Sequence, residues 1–287
     1  QYNLIMDLKK KILLFIFVAE LAADCEQAED PSRVIVAGGS LTEIIFFLEE
    51  ERVLTAVDIT SNYPESATSL PSIGYVRALS TEGILSLNPT LILGEEDMGP
   101  PLVVDQIKLT GVDLRVIEED YSLNSIKNKI ICVAKILGIE KKGEQIFREK
   151  LNNTIIDLQT LSIVNQNNLK KVLIILSMDG TSPIVAGKNT SANGFIEMMG
   201  AENAVTSFDG WKPVGAESII QMNPDMVIIT ERGIRNFESI NEFIEKTSLG
   251  FTSAGKNGKI FALDGMKMLG FGPRSPDTAL ELAKIIN

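Results

Sequence analysis

The chain is 287 residues long, with 27 basic and 38 acidic side chains, a formal net charge of −11 and no histidine. The missing imidazole excludes Ser-His-Asp and Cys-His nucleophiles, a histidine general base and His-ligated zinc, iron or copper, and the acidic balance argues against a nucleic-acid partner, because phosphate binding needs a basic surface. Hydrophobic residues at 45% and a mean hydropathy of +0.14 fit a globular protein, and the length suits about two domains.

Lys9, Lys10 and Lys11 precede an uncharged apolar run over residues 12–19, and an irregular acidic stretch follows. Basic-then-apolar order in a run too short to span a membrane is the pattern of a secretory signal. Residues 1–30 therefore read as a signal peptide and mature N-terminal tail, and the protein as exported to the periplasm. Asp24 stands where a lipoprotein signal wants a small residue before its cysteine, which disfavours lipid anchoring at Cys25. With Cys25 near or within the discarded segment, Cys132 in the apolar stretch 130–134 reads as a buried thiol and an intramolecular disulfide as unexpected.

From Arg33 the chain alternates β-branched runs with helical patterns. Strands are predicted over 34–37, 53–57, 91–93 and 114–117, and helices over 41–48, 79–87 (capped by Ser80) and 102–109. Residues 123–163 then keep apolar side chains at helical spacing without proline, which predicts one long helix or two abutting ones, weakest at Gly138 and Gly143. Alternation resumes with strands over 172–176, 226–229 and 260–263 and helices over 191–199, 216–221, 240–246 and 276–286.

The halves share a phrase: Glu82 or Glu217 opens a short helix, Asn88-Pro89 or Asn223-Pro224 stops it, and a strand follows. The predicted fold is α/β, two Rossmann-like lobes with parallel sheets joined by a long connecting α-helix, with a ligand cleft between the lobes. The boundaries are 1–30 for the leader and tail, 31–122 for the N-terminal lobe, 123–168 for the connector and 169–287 for the C-terminal lobe.

No Walker loop or GxGxxG motif is present, so a nucleotide reading is weak. The acidic runs Glu95-Glu96-Asp97 and Glu118-Glu119-Asp120 have metal or glycosidase chemistry open to them, but solvated strand ends account for them more simply. More unusual is the loop over 70–79, where Pro71 and Gly74 frame Tyr75 and Arg77 two residues apart. Phenolate oxygen ligates ferric iron, haem iron included, and a neighbouring guanidinium favours the phenolate. On local sequence alone, a loop tyrosine packing its ring with its hydroxyl in water is the commoner outcome.

Several phrases in order carry a resemblance: 57–64, Leu70-Pro71 through Gly74-Tyr75-Val76-Arg77, 79–89, Met98-Gly99-Pro100-Pro101, 185–192, Gly210-Trp211-Lys212-Pro213 and 269–274. Together they resemble the periplasmic haem-binding proteins of bacterial haem-uptake ABC transporters, from about residue 33 to the end. The resemblance implies one haem held between two α/β lobes, with Tyr75 as the ligand of the ferric iron and Arg77 as the cation beside the phenolate. It matches Arg232 to a second-lobe arginine, and Glu43 and Glu197 to carboxylates that dock on the permease dimer of the inner membrane. Tyr63, Met98 and Met178 are further candidates for haem contact, although methionine is more often core filler. Lys188, Lys212 and Arg274 are candidates to pair with propionates. Lacking histidine, this chain departs from relatives that hold a second haem with one. The implied function is that of a monomeric binding protein, not an enzyme, which delivers haem to its transporter; a corrinoid or ferric-siderophore carrier of the same fold is the alternative.

Overall fold

The computed structural model describes residues 25–165, 169–179 and 182–286. The predicted targeting run over 9–19 lies outside them. The chain divides into two compact units, one formed by residues up to 118 with 128–144, the other by 119–127 with 145–287.

In the first unit β1 (Val34–Ala37), β2 (Leu54–Val57), β3 (Leu91–Glu95) and β4 (Asp113–Ile117) form a sheet in the order β2-β1-β3-β4, and every pair is parallel. The helices between these strands are α1 (Gly39–Phe47), α2 (Thr81–Leu85) and α3 (Pro101–Leu109). The side chains of β1 are buried in succession, as expected of a parallel strand covered on both faces. Ile35, Ile92, Ile84 and Ile107 anchor the core, joined by Ile73, Val76 and Leu79 from the crossover between β2 and α2.

The connector is helical and in three pieces: α4 (Leu123–Ile136), α5 (Glu140–Lys150) and α6 (Asn152–Asn165). Gly138 ends α4 with a positive φ of 72°, and its N–H and that of Ile139 return to the carbonyls of Lys135 and Ala134, a glycine stop of the usual kind. Between α5 and α6 the helical bonding passes through Leu151, whose N–H reaches Phe147 O and whose carbonyl accepts from Ile155.

One expectation is overturned. Cys25 and Cys132 are joined in a disulfide with a Cα–Cα distance of 4.9 Å, and no free cysteine remains among the described residues. Ala28 N–H donates to Ile136 O at 2.9 Å, and Gln27 lies against Gly138, so the segment from Cys25 packs along the end of α4. Placing Cys25 near or within a discarded segment hid this partner of Cys132. A sulfur bonded to Cys132 is also unavailable for a thioether-linked lipid in the same molecule. A cavity of about 500 Å³ beside the disulfide is lined by Gln27, Lys135 and Lys141 among others, and contains none of the candidate site residues.

In the second unit β5 (Lys171–Asp179), β6 (Ser182–Ala186), β7 (Glu202–Asn203), β8 (Trp211–Pro213), β9 (Met226–Thr230) and β10 (Ile260–Leu263) form a sheet in the order β10-β9-β5-β6-β8, with β7 also on β5. The three predicted strands, β5, β9 and β10, are mutually parallel, whereas β6 and β8 add an antiparallel edge and make this sheet mixed. Pro183 and Pro213 explain why that edge was hard to foresee, since proline removes a ladder donor and belongs at sheet margins. The helices are α7 (Ser191–Met198), α8 (Ala216–Met222), α9 (Glu231–Ile234), α10 (Ile240–Thr247), α11 (Ser253–Lys256), α12 (Gly265–Leu269) and α13 (Ser275–Ile286). The core gathers Leu173, Ile175, Val227, Ile229, Phe243 and Leu249. In the same unit α13 packs on α6, where Thr154 Oγ1 donates to Asp277 at 2.7 Å.

Candidate functional site

In open parallel sheets, ligands bind beyond the carboxyl ends of the strands. At that edge of the first unit the chain makes a long excursion, from Asp58 to Ser80, and hydrogen bonds weave it onto the sheet. Val57 N–H donates to Pro71 O, Ile73 N–H to Val57 O and Ile59 N–H to Gly74 O, all within 2.9–3.0 Å. On the other side Gly99 N–H donates to Val76 O and Leu79 N–H to Gly99 O, both at 2.8 Å. The loop over 71–79 thus runs between the chain after β2 and the chain after β3.

Ile73, Val76 and Leu79 drive this loop into the core, and the residues between them face outward. Tyr75 is 41% exposed and Arg77 is exposed as well. Gly74 takes a φ of 91° before Tyr75, and Ala78 N–H closes a turn on Tyr75 O at 2.8 Å. The apolar side chain of Ile59 is 63% exposed on the neighbouring segment.

The excursion is tied down at its start by Asp58, a buried carboxylate. Its Oδ1 accepts from Gly38 N–H and Ser61 Oγ at 3.0 Å, and its Oδ2 from Thr60 N–H at 2.9 Å and Thr60 Oγ1 at 2.7 Å. A buried charge held by four donors is a structural anchor. Five residues on, Tyr63 is largely exposed and joined to Pro64 by a cis peptide bond.

The acidic run after β3 separates into distinct roles. The Glu95 carboxylate folds back over the Gly38 turn, where a side chain would collide with it, and accepts from Ser40 N–H at 3.0 Å and Ser40 Oγ at 2.6 Å. Lys129 of α4, only 4% exposed, donates from Nζ to Ser40 Oγ at 3.1 Å. Burial pushes the Glu95 carboxyl above the usual carboxylate range, while Lys129 and Ser40 pull the other way and Asp97 adds to the rise. Glu96 is solvated, as expected of a strand end. Asp97 faces the Tyr75 loop: Arg77 Nε and Nη2 reach its Oδ2 at 2.8 and 2.6 Å. Asp58, Glu95, Asp97 and Lys129 were not foreseen as site-forming residues; the sequence signals were the acidic run for Glu95 and Asp97 and the phrase over 57–64 for Asp58, with none for Lys129.

Met98 is 6% exposed and packs over Gly94 in the core. Glu43, in α1, is 4% exposed, so in this conformation its carboxylate is not at the surface.

In the second unit the candidates again follow strand ends. Arg232 is exposed on the four-residue α9 directly after β9. Thr230 sets that turn by accepting from Gly233 N–H at 3.0 Å and donating to Leu176 O at 2.6 Å. Met178 lies near the end of β5 and packs partly on the core. Glu197 is exposed on α7 and accepts from Asn193 Nδ2 at 2.8 Å. Arg274 is paired with Asp264 at 2.9 Å, Lys212 sits 5.1 Å over the Phe208 ring, and Lys188 is exposed. Among the described residues, no three His, Cys, Asp or Glu side chains are grouped to hold a metal ion, and no helix is long and apolar enough to cross a membrane.

The family model described as periplasmic binding protein matches residues 34–266. Among solved structures, the apo form of the periplasmic heme-binding protein RhuT from Roseiflexus sp. RS-1 superposes with a TM-score of 0.81 at 34% identity, covering 89% of this chain and 97% of that one. Among curated relatives, an ABC transporter substrate-binding lipoprotein of Bacillus subtilis, itself uncharacterized, is 24% identical over 90% of this chain and 81% of its own length. The vitamin B12-binding protein of Yersinia pestis is 24% identical over 71% of each chain.

Proposed function

This chain belongs to the periplasmic binding protein family, and from that premise we propose that it is an exported haem carrier that passes ferric haem to the permease dimer of an inner-membrane ABC transporter. The observation that carries the reading is the Tyr75 loop, which turns a tyrosine and an arginine outward at the carboxyl edge of a parallel sheet while burying Ile73, Val76 and Leu79 beside them. Haem is cargo here, and the protein's work is to bind and release it.

In this reading the Tyr75 oxygen ligates the ferric iron as phenolate, a hard donor suited to Fe(III). Arg77 offsets the negative charge that the phenolate and the propionates bring. Tyr63 and Ile59 add apolar surface beside the ligand. Arg232, and Met178 near it in strand order, are the second unit's candidates for haem contact, with Met98 acting from within the packing of the first unit. Glu197 docks on the permease, and Glu43 does so once its carboxylate is uncovered. The carrier is a monomer that takes one haem, since no imidazole is available to help hold a second.

Titration of the purified protein with hemin tests the assignment. The expected result is a Tyr75-dependent phenolate-to-iron absorption band that saturates at one haem per chain and disappears in Tyr75→Phe. Haem uptake without that band, or a band that survives Tyr75→Phe, overturns the ligand assignment. The likeness to a vitamin B12-binding protein favours a second reading, a corrinoid carrier. Binding of cobalamin with no uptake of hemin would decide for it.

A further inference from the structure

The proposed function leaves Asp97 without a role, yet its position is closely specified. The residues around it are fastened on both sides. Glu95 is held by Ser40, Met98 N–H donates to Glu95 O at 2.9 Å, the Met98 side chain is buried, and Gly99 is bonded twice to the Tyr75 loop. A two-residue reach from an anchored strand end thus sets the Asp97 carboxylate against Arg77, and the guanidinium directs two nitrogens at a single oxygen, Oδ2. A solvated acid with no task has no reason to be carried on such a fixed turn.

We propose that Asp97 is a positioning residue that competes with the bound ligand's anionic oxygens for the Arg77 guanidinium, and so keeps the cargo releasable. The proposal rests on the reading of Tyr75 and Arg77 given above. Both partners are substantially exposed, 63% for Arg77 and 41% for Asp97. Such a pair is weak, and it shifts a competing equilibrium by only about threefold. That scale suits a carrier, in which a stronger competitor would prevent loading and an absent one would slow delivery.

The test follows transfer of ferric haem from the loaded full-length protein to excess apomyoglobin by stopped-flow absorption, with the position of the phenolate-to-iron band recorded in the same samples. Asp97→Asn should slow release about threefold and shift the band, Asp97→Glu should restore wild-type behaviour, and Asp97→Asn should have no effect in an Arg77→Ala background. A purely structural role for Asp97 would speed release and leave the band in place. Unchanged or faster release in Asp97→Asn overturns the proposal. So does equal slowing in the Arg77→Ala background, which would mean that the acid acts on the ligand through general repulsion. If the wild-type protein takes up no haem, or takes it up as well as Tyr75→Phe does, both this inference and the haem reading fail together. Failure of the Asp97 variants alone, with a Tyr75-dependent band intact, leaves that reading standing.

Discussion

The two units end their parallel strands in different ways. In the first, a 23-residue excursion after β2, from Asp58 to Ser80, is laced to its neighbours through backbone hydrogen bonds and turns Tyr63, Tyr75 and Arg77 outward. In the second, the chain after β9 goes straight into the short helix α9, and Arg232 is exposed on it by a Thr230 cap. The first unit invests its polar side chains in fixing loops: Asp58 holds the start of the excursion, Glu95 the Gly38 turn, and Asp97 reaches Arg77. The second places cations singly, one of them, Arg274, already paired with Asp264.

The largest expected effect concerns the covalent link, because both cysteines of the chain lie in the first unit. Closing a loop with a sequence separation of 107 removes about 5 kcal/mol of chain entropy from the unfolded state. Reduction, or Cys132→Ser, should lower the melting temperature and cut amide-exchange protection in β1 and β3 while sparing β5 and β9. Equal loss in both units would break the distinction between them. Next, Tyr75→Phe should weaken haem binding at least about hundredfold, equivalent to about 2.7 kcal/mol, whereas Arg232→Ala should cost about tenfold or less. Calorimetric titration with hemin checks the ratio, and similar losses would mean that the two residues contribute equally.

Glu95 sharpens the comparison through pH. Glu95→Ala removes the acceptor of Ser40 N–H and Oγ and should cost about 2 kcal/mol of stability. Because burial raises the folded-state pKa of Glu95, its contribution is fully present below the ordinary glutamate range and is lost as pH rises through the folded value. In the second unit Asp120, held by Ser122, and Glu242, held by Lys246, have lowered values, so their contributions are present above the ordinary range and are lost on acidification. Thermal melts from mildly acidic to neutral pH should therefore show Glu95→Gln gaining on the wild type as pH rises; a constant difference would mean that Glu95 keeps the same protonation state throughout. The smallest effect distinguishes the two copies of the shared phrase. Ser80 Oγ accepts from Gly83 N–H at 3.3 Å at the start of α2, while α8 opens at Gly215 without a side-chain cap. Ser80→Ala should cost about 1 kcal/mol and Gly215→Ala far less, as read by urea unfolding.

The shared phrase shows how far local sequence carries. In both copies the short helix stops at Asn-Pro and a strand follows, as the phrase predicted; that Asn88 and Asn223 do so in left-handed backbone, with φ of 49° and 44°, was not predicted. Strands β1, β3, β5, β9 and β10 and most long helices were equally legible, because β-branched runs and helical periodicity are local signals that burial reinforces. The edge strands β6 and β8 were not, because their prolines obscure a pairing that only the neighbouring strand determines.

For the site, the spacing of Tyr75 and Arg77 in a loop marked by Pro71 and Gly74 drew attention to them, but a ligand role came only from the family resemblance. The absence of histidine, too, directed attention to oxygen ligation before any coordinate was known. Contacts between residues distant in sequence needed the tertiary structure. Asp97 meets Arg77 across 20 residues, Lys129 meets Ser40 across 89, and Cys25 meets Cys132 across 107. Composition and spacing report which groups are present and what local backbone they favour; which carboxylate is buried, which reaches a guanidinium and which thiol is within bonding range depend on how the crossovers fold back onto the sheet.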